Sequence, residues 1–356
     1  MKFNFRLPKY TELSRSQKKA INEIEPILVT GVPGAGKTVV SIYRLNNSLD
    51  AGKNSLLLTY NRMLQVSISN SIEHLGMKKE SVQSIHRWFY EETGEWLDRY
   101  NHNALKLEEK IKHISYNEFI FDEGQDQHIA IYDAFSKIGD VSIGADDAQQ
   151  LYDVSTTEAK ILESLPYLEE YELTINYRNS FEIFNFAKEF VPHNLRANDS
   201  ILLERLAKNN GMKPQLYIAP TFNDTKELIK KILNNQNNKG KNIAILVPSQ
   251  YLVDTYHDAI KNDFESSRYH SSLSKDIKEK TENDLQNILV TTFKSAKGME
   301  FDIVMMLGFE QTKEKARNQY FVGATRAKTK LFIFCIGKLS SIFESFDTDT
   351  YDLKRV

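Results

Sequence analysis

Gly31–Val32–Pro33–Gly34–Ala35–Gly36–Lys37–Thr38 is the stretch on which the reading of this 356-residue chain turns. It fits G-x-x-x-x-G-K-[ST], a pattern whose glycines let backbone amides turn inward around a phosphate. Residues 27–30 before it, Ile-Leu-Val-Thr, are apolar and β-branched and read as a buried strand. Residues 39–49 after it read as a helix, with Gly52 placed to end it. In that order the helix N-terminus adds its partial positive charge to the cradle. Gly31, Gly34 and Gly36 then line a phosphate, Lys37 reaches the β- and γ-phosphates of a nucleotide, and Thr38 holds Mg²⁺ through its hydroxyl.

A second signal lies downstream in Glu118–Phe119–Ile120–Phe121–Asp122–Glu123–Gly124–Gln125–Asp126. Apolar residues run to a strand end and acids follow. In a nucleotide hydrolase this pattern supplies an aspartate, Asp122, for Mg²⁺ and a glutamate, Glu123, that polarises the attacking water. Two acids capping a helix are the plainer alternative, which Gln125 and Asp126 weaken. Another strand, 141–144, leads into Ala145–Asp146–Asp147–Ala148–Gln149–Gln150–Leu151–Tyr152.

Several residues upstream allow two readings. Ser14-x-x-Gln17 is a capping box, or Gln17 reads the edge of an adenine. Strand 55–60 ends at Tyr60–Asn61, well placed to touch a ligand at a strand's carboxyl end. A surface turn with Asn61 as helix cap fits those residues equally. Ser84–Ile85–His86–Arg87–Trp88–Phe89 is rich in aromatics, and His86 lacks a histidine partner at metal-ligand spacing. Residues 91–113 are charged and helical in character without a second core pattern.

The remaining chain continues the α/β alternation. A strand at 172–174 enters Asn176–Tyr177–Arg178–Asn179, and a change of domain is expected near 170, giving domains 1–170 and 171–356. Strands are expected at 215–219, 243–247, 288–292, 303–307 and 331–335, with helices at 181–190, 225–233, 251–260 and 319–328. Residues 266–284 read as polar and helical at best, and the chain from 340 as a helix stub and a polar tail.

Composition bounds the function. Hydrophobic residues make up 41%, enough for packed cores. The net charge of −2 excludes a globally basic nucleic-acid binder, so any such contact comes from a local groove. The single cysteine, Cys335, excludes an internal disulfide and an all-cysteine zinc site. No apolar run is long enough to span a bilayer, and the N-terminus lacks the apolar core of a signal peptide, so a cytoplasmic setting without membrane contact is expected.

These blocks, in this order, resemble the UvrD/Rep-like superfamily 1 DNA helicases, over nearly the whole chain from Gln17 to about Cys335. The loop at 31–38 resembles motif I of that family, and Asp122–Glu123–Gly124–Gln125–Asp126 its motif II. Ala145 through Tyr152 resembles motif III, and Asn176–Tyr177–Arg178–Asn179 motif IV. Thr292–Phe293–Lys294–Ser295–Ala296–Lys297–Gly298–Met299–Glu300–Phe301 resembles motif V, and Ala324–Thr325–Arg326–Ala327 motif VI. The resemblance implies two RecA-like P-loop α/β domains, with mostly parallel sheets flanked by helices and ATP in the interdomain cleft. It implies that Gln17 reads adenine, Tyr177 stacks on it, Glu300 meets the ribose and Gly298 belongs to the nucleotide site. Gln149 senses the γ-phosphate, and Arg178 and Arg326 act as arginine fingers beside Lys37 and Glu123. Nucleic-acid contacts are expected from Tyr60, Asn61, His86, Tyr152, Thr292 and Lys294, with Trp88 a further stacking candidate.

The sequence also departs from the family. Its gap before motif II, residues 90–118, is short, so the large accessory domains are expected to be reduced or missing. Asp153–Val154–Ser155 stands where an aromatic and basic run is usual, Lys294 replaces a common histidine, and Val39–Val40 replaces an arginine after motif I. Two functions follow from these residues. One is an ATP-hydrolysing translocase on a single strand, expected to be DNA and 3′ to 5′ by resemblance. The other is an ATP-gated regulatory subunit that signals to a partner protein such as a nuclease.

Overall fold

The computed structural model describes residues 1–3, 5–98, 103–149, 156–191, 211–311 and 317–356. Two compact units divide the chain, one spanning Phe5–Asn176 and the other Tyr177–Val356 together with Met1–Asn4.

In the first unit the described strands are β1 (Ile27–Gly31), β2 (Ser55–Thr59), β3 (Val82–Ser84), β4 (Glu118–Asp122), β5 (Asp140–Gly144) and β6 (Glu169–Leu173). They lie in the order β3-β2-β4-β5-β1-β6, and every pairing is parallel. Parallel strands need crossover helices, which cover both faces. The helices are α1 (Arg15–Asn22), α2 (Lys37–Asp50), α3 (Arg62–Ser71), α4 (Ile85–Thr93), α5 (Ala104–Ile111), α6 (Ile129–Phe135) and α7 (Glu158–Ser164). The strand period of two sorts the apolar residues. Leu56, Leu58, Phe119 and Phe121 share a core with Trp88, Tyr132 and Phe135, whereas Leu57 and Ile120 pack with Ile42, Leu45, Leu64 and Ile68.

Three expectations change here. The strand expected to open the second domain is β6, which pairs with β1 over its whole length, so the first unit runs to Asn176 and the boundary moves from 170. Glu169, Glu170 and Glu172 are exposed along β6, as suits an edge strand, and hide its membership from a hydrophobicity reading. Residues 91–113 do carry core residues, since Leu107 and Ile111 of α5 join the first core. Trp88 is fully buried, edge-on to Phe119 at 5.8 Å, so it is no stacking platform.

The second unit holds β7 (Gln215–Ala219), β8 (Ile243–Val247), β9 (Ser267–Tyr269), β10 (Ile288–Thr292), β11 (Phe301–Met306), β12 (Ala327–Ile336) and β13 (Asp352–Arg355). Their order is β13-β7-β12-β11-β8-β10-β9, again all parallel. Its helices are α8 (Phe181–Ala187), α9 (Phe222–Asn234), α10 (Gln250–Ile260), α11 (Lys275–Asn283) and α12 (Arg317–Ala324). Ile243, Ile245, Val247, Val290, Ile303 and Met305 share one core with Ile229, Val253 and Tyr256. Phe186, Phe190, Tyr320, Phe343 and Phe346 form an aromatic cluster.

Two of the strands are absent from the sequence reading. β9 is three residues long with the polar pattern Ser-Arg-Tyr, and β13 is an exposed edge strand in the stretch expected to be a helix stub and a polar tail. The helix expected over 319–328 stops at Ala324. The Phe301 amide donates to the Arg326 carbonyl at 3.0 Å and draws the chain into β12.

Candidate functional site

β5 pairs with both β1 and β4, so the carboxyl ends of these three strands lie side by side. The loop at 31–38 leaves β1 and enters α2. Gly31 has φ 134°, and a Cβ there would lie 2.1 Å from the Leu173 carbonyl oxygen. Gly34 and Gly36 also have positive φ, 74° and 90°. The Lys37 ammonium donates to the Gly31 carbonyl at 2.7 Å and meets Asp146 Oδ2 at 3.1 Å. The Thr38 hydroxyl donates to Asp122 Oδ2 at 2.8 Å.

Gln17 performs its capping role and a second one. Its Oε1 accepts from the Ser14 amide at 2.8 Å, and its Nε2 donates to the Ala35 carbonyl of the loop at 2.9 Å. One buried side chain thus ties the start of α1 to the phosphate-binding pattern.

Asp122 is buried, and burial together with the neighbouring Glu123 charge raises its carboxyl to about 7, against the opposing pull of Thr38 and Lys37. Among the described residues Glu123 is the sole non-glycine with positive φ, 59°. That left-handed backbone is unfavourable for a side chain and is stored where the surroundings enforce it. Gln125 Nε2 donates to Glu123 Oε2 at 2.7 Å, and Tyr132 donates its hydroxyl proton to the Gly124 carbonyl at 2.6 Å. Gln125 Oε1 accepts from the Asp146 amide at 3.0 Å, and Gln149 Nε2 donates to the Asp146 carboxylate. Asp146 therefore links the segments after β1, β4 and β5. Neither it nor Gln125 is given a role in the site by the sequence alone, although a pair of acids directly after a buried strand is a usable signal.

In the second unit Glu300 is the centre of charge. Arg178 Nε meets its Oε2 at 3.0 Å and the Lys328 ammonium its Oε1 at 2.5 Å. Burial pushes the Glu300 carboxyl up, and the Lys328 and Arg178 charges more than offset this, leaving it below its ordinary value. Lys328 lay outside the sequence reading of the site. Arg326 is fully buried, its guanidinium donating to the Val322 carbonyl at 3.0 Å and the Met299 carbonyl at 3.4 Å. Tyr177 has an exposed ring, and Gly298 takes φ 78° in the turn before β11.

The nucleic-acid candidates fall in two groups. Tyr60 and His86 meet edge to face at 5.2 Å at the ends of β2 and β3. Asn61 accepts from the Met63 amide at 2.9 Å, the helix-cap alternative. Thr292 Oγ1 bonds Ser295 at the end of β10, beside an exposed Lys294. Tyr152 lies outside the described residues. Among the described residues no group of three or more His, Cys, Asp and Glu side chains is placed to hold a metal.

Residues 251–338 match the family model of the UvrD-like helicase C-terminal domain. That segment is similar to the UvrD-like helicase C-terminal domain. The resemblance to UvrD/Rep-like helicases, first seen in short motifs, is thereby borne out in the second unit. Among solved structures, the chain is similar to Dbp5 of S. cerevisiae bound to RNA and ADP BeF3, with 14% identity, 98% of this chain and 90% of that one covered, and a TM-score of 0.55. A variant of that yeast protein, also with RNA and ADP BeF3, matches with 14% identity, coverage of 96% and 89%, and a TM-score of 0.54. The C-terminal domain of a possible DNA helicase from Lactobacillus plantarum WCFS1 matches with 21% identity, coverage of 50% and 98%, and a TM-score of 0.39. No curated protein sequence matches the chain. The Dbp5 likeness bears on fold, and with it the two parallel-sheet units are RecA-like. No described helix is long and apolar enough to cross a membrane.

Proposed function

We propose that this chain is an ATP-hydrolysing motor of the UvrD-like kind, stimulated by a single nucleic-acid strand. The observation that carries the reading is the meeting of Lys37, Thr38, Asp122 and Asp146, drawn from three separate sequence blocks, at neighbouring strand ends. The residues fit the ligands. Glycines with positive φ precede the start of α2, a backbone that lets loop amides turn toward a phosphate. A hydroxyl and a carboxylate 2.8 Å apart suit Mg²⁺, which prefers oxygen ligands and takes the rest from phosphates and water. Bound Mg²⁺ supplies charge neutralisation on the phosphate oxygens.

The chain's own residues do the rest. Lys37 exchanges Asp146 for the β- and γ-phosphates. Glu123, steadied by Gln125, orients the attacking water and takes its proton. Gln149 senses the γ-phosphate, while Arg178 and Arg326 supply positive charge to the transferring group. Gln17 and Tyr177 hold the base, Glu300 the ribose and Gly298 the loop beside it. Tyr60, Asn61, His86, Tyr152, Thr292 and Lys294 contact the strand, which we assign as DNA read 3′ to 5′ in a cytoplasmic setting. The domains act as residues 5–176 for nucleotide binding and 177–356 for the arginines.

The withdrawal of Trp88 into the core favours a second reading, an ATP-gated subunit that signals to a nuclease or other protein without processive movement. ATP turnover measured with and without single-stranded DNA or RNA separates the two. A large stimulation supports the motor, and a rate indifferent to both strands supports the switch.

A further inference from the structure

Asn179 is fully buried one residue after Arg178. Its side-chain nitrogen donates one hydrogen to the Thr325 carbonyl at 3.1 Å and the other to the Ala327 carbonyl at 2.5 Å. Those carbonyls flank Arg326, whose own carbonyl accepts from the Phe301 amide at 3.0 Å. Three successive carbonyls are therefore held where α12 gives way to β12. Helix ends leave carbonyls without intrahelical partners, and any donor there would serve stability. A single amide group spanning the carbonyls before and after one residue does more, because it fixes the direction in which that residue's side chain leaves the backbone. Phe301 follows Glu300, the partner of Arg178. The two arginines are thus held by one connected frame within the second unit.

The geometry points to Asn179 as a positioning residue for Arg326 in hydrolysis. This rests on the reading of Arg326 given above. A long side chain that must meet a transferring phosphoryl group gains rate from being pre-aimed, and a misplacement of about 1 Å costs roughly 10²-fold. The amide is the needed chemistry. Alanine removes both donors, and aspartate keeps the shape but turns acceptors toward two carbonyl oxygens.

The test is single-turnover ATP hydrolysis by the full chain with single-stranded DNA, with ADP affinity and melting temperature measured on the same samples. Asn179→Ala should slow hydrolysis by roughly 10²-fold while ADP affinity stays within about twofold. In an Arg326→Ala background the same substitution should add no further loss, since the residue through which it acts is gone. Asn179→Ser serves the same comparison if the alanine variant does not fold. An equal loss in both backgrounds, or a parallel loss of rate and ADP affinity, would mean a structural role and overturn the proposal. Impaired Arg326→Ala beside unimpaired Asn179→Ala removes this proposal alone. Unimpaired Arg326→Ala removes the assignment of Arg326 itself, and the proposal with it.

Discussion

Arg44 offers the most quantitative test of how the first unit is built. It sits on α2, is buried, and its Nε meets Glu118 Oε1 of β4 at 2.6 Å. Its two terminal nitrogens donate to the Glu23 carbonyl at 2.6 Å and the Glu25 carbonyl at 2.8 Å, just before β1. Ser142 of β5 donates to the same Glu118 oxygen and accepts from the Ile27 amide. One guanidinium therefore ties the helix after the glycine loop to the strands that carry the site. Arg44→Leu strands a buried carboxylate and two carbonyls, which should cost about 3–5 kcal/mol. At about 2–4 °C per kcal/mol for a domain of this size, the melting temperature should fall by roughly 6–20 °C. Arg44→Leu/Glu118→Leu removes both charges and should recover part of the loss. Arg87→Ala, which breaks a pair with side chains 54% and 45% exposed, is the control and should cost under about 0.5 kcal/mol. Calorimetry or circular dichroism on the three variants reads this directly. An Arg44→Leu shift no larger than that of Arg87→Ala would refute the reasoning.

Other outcomes follow from particular contacts. Gly31→Ala forces a Cβ to within 2.1 Å of a backbone oxygen on β6, so it should lower both melting temperature and ATP affinity; a neutral result would show that β6 moves freely. Glu300 has a folded pKa below its ordinary 4.5, so its stabilising contribution is full above that value and lost as pH falls through the depressed one. The melting-temperature gap between the natural chain and Glu300→Gln should thus be widest at neutral pH and close in acid, whereas a gap that widens in acid would reverse the assignment. On a tailed duplex the isolated chain should displace strands poorly while the same strand stimulates ATP turnover, and strand binding should weaken steeply with salt. Efficient displacement at low protein-to-DNA ratio would contradict the reading of the short 90–118 connection.

Strong periodic strands were legible in the sequence, and β7, β8 and β10 fall where the apolar runs placed them. What escaped was decided by tertiary pairing. β6 presents glutamates to solvent and is recognisable only by its partner β1, while β9 and β13 are short polar edges. Of the candidate site, residues with a fixed chemical signature stood out, such as Lys37 and the Asp122–Glu123 pair. Asp146, Gln125, Asn179 and Lys328 matter through partners distant in sequence, and no spacing rule reveals an amide that spans two remote carbonyls. Trp88 misled because an aromatic at helical spacing reads alike on a surface and in a core.

The most direct test of the central claim is ATP binding and turnover by Glu123→Gln beside the unaltered chain, with single-stranded DNA present. Removing the carboxylate and keeping the loop should leave ATP affinity nearly intact and reduce turnover by several orders of magnitude, whereas Lys37→Ala should impair both. Near-normal turnover in Glu123→Gln would contradict the account.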